Sequence, residues 1–328
     1  MAQKILVTGG AGFIGSHLVD QLVKKNKNIT VIDNLIVGKL KNLKSSKKKI
    51  NFIKADIRNY NKIEKYFKNV STVYHLAALA DIIPSIDNPE EYYSTNVTGT
   101  FNVFKASKKY GVKRLVYAAS SSCYGIPKKY PTSEKCKLDP QYPYALTKSL
   151  GEQLVLHLGK IYGINTTSLR FFNVYGLRSR TSGTYGAVFG VFLAQKLANK
   201  PFTVVGDGKQ TRDFTYVSDV VEALVKVAET KKLANEILNV GSGKTISVNK
   251  IVSLLGGKRI GIPKRPGEPH TTFADIKKIK KLTNWRPKIQ IEQGISLMVN
   301  NINNWNDAPL WSKKKIKTAT KNWFKYLR

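Results

Sequence analysis

A chain of 328 residues, 42% of them hydrophobic, can bury a substantial core as two lobes or one large α/β unit, and no apolar run approaches the roughly 18 residues of a membrane span. Two cysteines, Cys123 and Cys136, are too few for a disulfide framework and fit a reducing, cytoplasmic setting. The net charge of +34 comes mainly from 45 lysines, with only ten arginines, spread along the whole chain; such a surface attracts anionic substrates but lacks the motif of a nucleic-acid reader, so no nucleic-acid partner is expected.

The N-terminus leads directly into a strand pattern and shows no signal-peptide signature. Short β-branched runs then alternate with helical stretches, and strands are predicted at residues 4–8, 29–32, 51–54, 72–76, 114–119 and 166–170. Between them, Ile14, Leu18 and Leu22 recur at helical spacing, and residues 89–110 form a long helical segment. This alternation predicts a doubly wound parallel sheet, Rossmann-like, with helices on both faces. Residues 39–49 read as a solvated lysine-rich loop. After Tyr175 the texture changes: residues 177–186, rich in Gly and Ser, read as a mobile loop and 187–199 as a helix. Residues 237–240 read as one more buried strand that returns to the sheet, so a smaller α/β lobe is interleaved with the first.

From Trp311 the chain is strongly basic. Ile316, Thr320, Trp323 and Leu327 share one helical face, with Lys314, Lys317, Lys321 and Lys325 elsewhere around it. Such a helix can lie on an anionic membrane surface; docking onto its own lobe or onto a partner subunit is the simpler expectation.

The first predicted strand runs into Thr8-Gly9-Gly10-Ala11-Gly12-Phe13-Ile14-Gly15 and an amphipathic helix. Gly9, Gly12 and Gly15 permit a tight turn, close backbone approach to a pyrophosphate and close helix–strand packing, and the helix N-terminus offers amides to phosphate. Strand before and helix after are the context this motif requires, so dinucleotide binding is expected. Asp33, 18 residues past Gly15, stands where a carboxylate bonds the adenosine ribose and repels a 2′-phosphate, which favours NAD over NADP; Asn34 beside it is expected at the cofactor. Asp56 and Ile57, after the third strand, are placed to reach the adenine. The segment Leu76-Ala77-Ala78 offers small residues where backbone must pass close to the cofactor.

Residues 120–125, Ser-Ser-Ser-Cys-Tyr-Gly, end the fifth strand, where folds of this type place substrates. Tyr144 follows Ser120 by 24 residues, and Lys148 lies four past Tyr144, which puts both on one helix face. A neighbouring ammonium favours the phenolate, so Tyr144 is expected to accept a proton from a sugar hydroxyl, with Ser120 sharing it.

These segments carry a specific resemblance. TGGAGFIG at 8–15, DN at 33–34, DIRN at 56–59, HLAA at 75–78, SSSCYG at 120–125, YALTK at 144–148, RFFNVYG at 170–176, GDGKQTRDFTYVSD at 206–219 and RPGEP at 265–269 resemble the extended short-chain dehydrogenases/reductases, in the branch of nucleotide-sugar epimerases and dehydratases. The order and spacing hold from Lys4 to about Trp305. The resemblance implies NAD as cofactor, a catalytic Ser120, Tyr144 and Lys148, and Phe171 and Phe172 flanking nicotinamide and sugar. It places Asn173 and Ser122 at the substrate and Arg212, Arg265 and Glu268 at the nucleotide's phosphates and ribose. For Arg212 the alternative is an ion pair with Asp213. It also implies an NAD-binding domain over 1–174, joined by 213–241, a nucleotide-sugar lobe from 175–212 and 242–310, and a separate tail over 311–328. Family members commonly dimerise through a helix pair, here 89–110 with 144–162.

Dehydratases of the family place Asp-Glu directly after the catalytic Ser/Thr, and UDP-glucuronate decarboxylases carry a Glu at the second of these positions. This chain has Ser121 and Ser122 there, and a hydroxyl cannot replace a carboxylic acid as general acid. Enzymes that epimerise C3 or C5 place a Cys two residues before the tyrosine of the strand-end motif; Cys123 is one before Tyr124 and reads as a packed residue. The simplest outcome is 4-epimerisation of a UDP-sugar, with the strongest resemblance to bacterial UDP-GlcNAc/UDP-glucose 4-epimerases of surface-polysaccharide pathways, partly through residues 182–187. Thr272 stands where strict UDP-galactose epimerases of some bacteria have Tyr, which leaves room for an N-acetyl group. A binding-only regulator of this fold would have no need of Ser120, Tyr144 and Lys148 together.

Overall fold

The structure is a computed structural model, and it describes residues 4–25, 27–179 and 188–327. Seven parallel strands form one sheet: β1 (Lys4–Thr8), β2 (Asn28–Asp33), β3 (Ile50–Lys54), β4 (Val70–His75), β5 (Arg114–Ser120), β6 (Asn165–Phe171) and β7 (Glu236–Val240). Their order is β7-β6-β5-β4-β1-β2-β3. Most are short β-branched runs buried on both faces, as a parallel sheet covered by helices requires. Each predicted strand is present, the first with its predicted bounds and the others shifted by a residue or two at one or both ends, and residues 236–240 do return to pair with β6. The order reverses between β1 and β4, and the crevice at that switch point is where this architecture binds ligands.

Two differences from the sequence reading concern local detail. The segment 89–110 is not one regular helix: Pro89–Tyr93 and Gly99–Lys109 are α-helical, and Ser94–Thr98 between them is a π-turn. π-turns often mark functional positions, and this one aims Asn96 into the fold. Its amide donates to the Leu79 carbonyl at 3.0 Å and to Thr147 Oγ1 at 3.0 Å, and its oxygen accepts from the Leu79 amide at 2.9 Å. The loop after β4 is thereby tied to the helix that carries Tyr144. The lysine-rich stretch 39–49 holds two 3₁₀ turns, Leu40–Leu43 and Lys47–Lys49, because Leu43 is buried and anchors it.

Beyond β6 the chain forms small two-stranded pairings. Phe202–Val205 pairs with Arg259–Ile262, Thr211–Arg212 with Ile246–Ser247, and Val174–Tyr175 with Thr215–Tyr216. The helix expected over 187–199 is seen as Val188–Leu197; residues 180–187, which include most of the expected mobile loop and all of 182–187, lie outside the described residues.

The tail is two short helices, Lys313–Ala319 and Lys321–Tyr326, broken at Thr320. Ile316, Thr320 and Trp323 are buried, whereas Lys314, Lys317, Lys321 and Lys325 are exposed, so the face read from the sequence docks on the chain itself. Among the described residues, no helix is long and apolar enough to cross a membrane.

One buried ion pair joins the sheet to the helix Pro143–Tyr162. Glu152 accepts from Arg170 Nε at 3.0 Å and from Ser168 Oγ at 2.7 Å, and the Arg170 guanidinium lies 4.7 Å from the Tyr124 ring centre. Both charged side chains are almost wholly enclosed.

Candidate active site

A single cavity of about 640 Å³ runs along the carboxyl ends of the strands, from the glycine loop after β1 to the loop around Arg265. At its nucleotide end Gly9, Gly12, Phe13, Ile14 and Gly15 line the wall. Gly9 has φ +70°, and a Cβ there would sit 2.6 Å from the Ala77 amide nitrogen. A Cβ on Gly15 would overlap the Gly9 carbonyl. Only glycine therefore lets the turn, the helix start and the Leu76–Ala78 segment approach this closely. The helix Phe13–Lys24 begins at Gly12 with no side-chain cap, which leaves its first amides for an anion. Asp33 lies at the end of β2, and its carboxylate accepts from the Ala11 and Leu35 amides at 2.9 and 2.8 Å; burial pushes its pKa up against those bonds. A cradle without side chains, free helix amides and an ionisable group at the ribose position fit NAD.

Asn34 and Ile57 line the cavity and Asp56 does not. The Asp56 carboxylate accepts from Arg58 Nη2 at 2.8 Å and from Asn34 Nδ2 at 3.0 Å. Against the upward push of burial, Arg58 holds it down to about 2. Of the pair expected at the adenine, Ile57 thus faces the cavity, while the Asp56 carboxylate binds Arg58 and Asn34.

At the centre, Ser120 ends β5, and its Oγ lies 2.7 Å from Ser122 Oγ. Both hydroxyls adjoin Tyr144, at the start of the helix Pro143–Tyr162, and Phe171 and Phe172 complete the wall. The expected depression of the phenol by Lys148 is not found here. Burial pushes Tyr144 up to about 12 while the Ser120 and Ser122 hydroxyls hold it down. Lys148 instead places its ammonium 4.2 Å from the centre of the Tyr117 ring, and burial pushes it down to about 8. Loss of water is the largest cause of both shifts. His75 is no competing base: it is held between Thr8 Oγ1 at 2.7 Å and Thr100 Oγ1 at 2.9 Å, and burial pushes it down to about 3. Cys123 is enclosed, donates to the Ala145 carbonyl at 3.4 Å, and is pushed up to about 12 by burial, so it packs and does not react.

The Lys148 shift has a measurable consequence in protein freed of bound nucleotide. Below about pH 8 the folded site must hold a buried charge, whereas above the usual lysine value of 10.5 the folded and unfolded chains are both neutral. Between these limits the unfolded chain binds the extra proton, so stability rises with pH. The melting-temperature advantage expected of Lys148→Met should narrow across that window, the other lysines cancelling in the difference. A gap that stays constant would show that Lys148 keeps its proton.

At the far end Asn173, Arg212, Arg265, Glu268 and Thr272 converge on the cavity. Arg265 donates to Glu268 Oε1 at 2.9 Å, and Thr272 Oγ1 donates to Asn173 Oδ1 at 2.8 Å. Arg212 does not pair with Asp213: it donates to the Thr211 and His270 carbonyls at 2.9 and 3.1 Å. Asp213 turns away and accepts from Ser242, Gly243 and Ala274. Among the wall residues that escaped the sequence reading are Tyr142 and Trp323. Tyr142 stacks beside Tyr144 with ring centres 6.5 Å apart; the aromatic repeat Tyr142-Pro143-Tyr144 was its only signal.

Comparisons with known proteins agree on the fold and the cofactor. The NAD dependent epimerase/dehydratase family matches residues 5–241. A UDP-glucuronate 4-epimerase of Thermodesulfobacterium geofontis is 37% identical, over 95% of this chain and 96% of its own length. The crystal structure of a UDP-glucose 4-epimerase from Thermotoga maritima with UDP-glucose superposes with a TM-score of 0.87, at 33% identity, covering 92% of this chain and 99% of that one. A UDP-N-acetylglucosamine 4-epimerase from Methanobrevibacter ruminantium, in complex with UDP-N-acetylmuramic acid, gives 0.85 at 31% identity, with the same coverage of both chains.

Proposed function

The chain belongs to the NAD-dependent epimerase/dehydratase family and uses NAD, and from that premise we propose that it is a UDP-sugar 4-epimerase acting on UDP-N-acetylhexosamines or UDP-hexoses. The observation that carries this reading is the hydroxyl cluster of Ser120, Ser122 and Tyr144 beside Lys148 in the crevice, with serine at both positions where a dehydratase keeps its acids. Bound NAD supplies a hydride acceptor and donor and, when oxidised, a positive ring charge. Tyr144 takes the proton of the sugar C4 hydroxyl, and Ser120 passes it within the cluster. A 4-keto sugar results, and with no carboxylic acid at 121 or 122 to expel the 6-hydroxyl, Tyr144 returns the proton after the ketone has turned its other face. Lys148 lines the same cavity as Tyr144 and adds positive charge to the site while it is protonated. Arg212 and Arg265 suit the diphosphate because a planar guanidinium pairs with two oxygens. Thr272, small and held against Asn173, leaves space for an N-acetyl group.

Purified protein should convert UDP-GlcNAc to UDP-GalNAc, and more slowly UDP-glucose to UDP-galactose, with no loss of mass by mass spectrometry. A 4-keto-6-deoxy product from loss of water, or release of CO₂ from UDP-glucuronate in place of epimerisation, would overturn the assignment.

A further inference from the structure

We propose that Trp323 is a positioning residue for the nucleotide sugar, and that the short C-terminal helix carrying it completes the substrate site. This rests on reading the far end of the cavity as the place of a UDP-sugar. The motifs shared with the family end near Trp305, and the two superposed epimerases are spanned over 99% of their own length while matching 92% of this chain. Trp323 lies beyond the shared motifs, yet it lines the same cavity as Tyr144 and Arg265.

The indole has three partners. Its Nε1 donates to the Pro266 carbonyl at 2.8 Å. The Arg265 guanidinium carbon lies 5.4 Å from its ring centre, within cation–π range. The Tyr142 ring centre is 6.2 Å from that of the indole, and Tyr142 stacks on Tyr144 with an interplanar angle of 6°. The helix Lys321–Tyr326 is held to the NAD-binding half of the crevice by Asn322, whose Nδ2 donates to Asp87 Oδ1 at 2.8 Å. Trp323 therefore joins the loop that carries Arg265 and Glu268 to the ring that flanks the proton acceptor. An exposed arginine samples many rotamers, whereas this one is held by the Glu268 carboxylate at its tip and by the indole face. An arginine ordered before binding loses less entropy when it meets a phosphate.

The test uses the full chain with bound NAD, and UDP as the probe in calorimetric titration. Trp323→Ala is expected to weaken UDP binding and to raise KM for UDP-GlcNAc by about tenfold, as loss of a cation–π contact and of an oriented guanidinium implies. The kcat should change by less than about threefold, with the NAD content unchanged. Trp323→Phe, which keeps a ring over Arg265, should recover most of the affinity. If Trp323→Ala shows no cooperative melting, Asn322→Ala loosens the helix without opening the core and should raise KM by itself. Unchanged UDP affinity in Trp323→Ala, an Asn322→Ala protein with unaltered KM, or a parallel loss of UDP and NAD would overturn the proposal. Absence of UDP binding by the unaltered protein would remove the UDP-sugar reading and this proposal with it.

Discussion

Tyr144→Phe is expected to lower kcat/KM by roughly 10²–10⁴-fold, the usual contribution of a positioned proton acceptor, while NAD stays bound. The substitution removes one oxygen and leaves the ring, so its contacts with Tyr142 and Tyr92 persist. Ser120 and Ser122 keep their mutual bond at 2.7 Å, but neither hydroxyl is acidic enough to act as the base at neutral pH. With burial pushing Tyr144 up to about 12, its phenolate is scarce unless positive charge arrives with the bound cofactor. The activity should therefore rise with pH over the alkaline range in the unaltered protein and be flat in the variant. Steady-state epimerisation followed by NMR, with NAD released by denaturation and quantified, separates the two effects. Turnover within about threefold of the unaltered protein would remove Tyr144 from its role.

Glu152→Gln should be the most destabilising single change near the site, at about 3–5 kcal/mol, the loss typical when one partner of a buried ion pair is removed. The Arg170 guanidinium would remain almost wholly enclosed, with a neutral amide in place of the carboxylate that now accepts from its Nε at 3.0 Å. Volume hardly changes, so the loss reports charge and not a cavity. Replacing both residues with Met should recover much of the stability, because the desolvation of two charges disappears with the pair. The exposed pairs Lys25–Glu229 and Lys109–Glu64 give the comparison, since surface bridges contribute about 0–1 kcal/mol. Urea midpoints for the four proteins decide the matter, and a Glu152→Gln protein no weaker than a Glu229→Gln one would refute it. Because Glu152 shares a helix with Tyr144 and Lys148, activity at elevated temperature should fall in step.

The strands and the glycine loop were legible in the sequence because they depend on neighbours in the chain. β-Branched runs such as Ile29 to Ile32 and turn glycines such as Gly9 act through local sterics. Tyr144 and Lys148 were legible through helical spacing, and Ser121 and Ser122 through the side chains that are missing there. What those groups do to each other was not legible. Spacing put Lys148 on the same face as Tyr144, but the fold sends its ammonium over Tyr117 and encloses both groups. The place of Asp56 after β3 was likewise plain, but its bond to Arg58 was not.

Pattern and local geometry thus sufficed for the parallel sheet, for the glycine turn after β1 and for placing Tyr144 and Lys148 on one helix. Only the tertiary structure decided the π-turn that aims Asn96 at Leu79 and Thr147, the enclosure of Glu152 with Arg170, and the placing of Trp323 against Arg265. Each of these joins residues distant in the chain, and burial, which sets the strength of every charge and hydrogen bond, exists only once the chain has closed on itself.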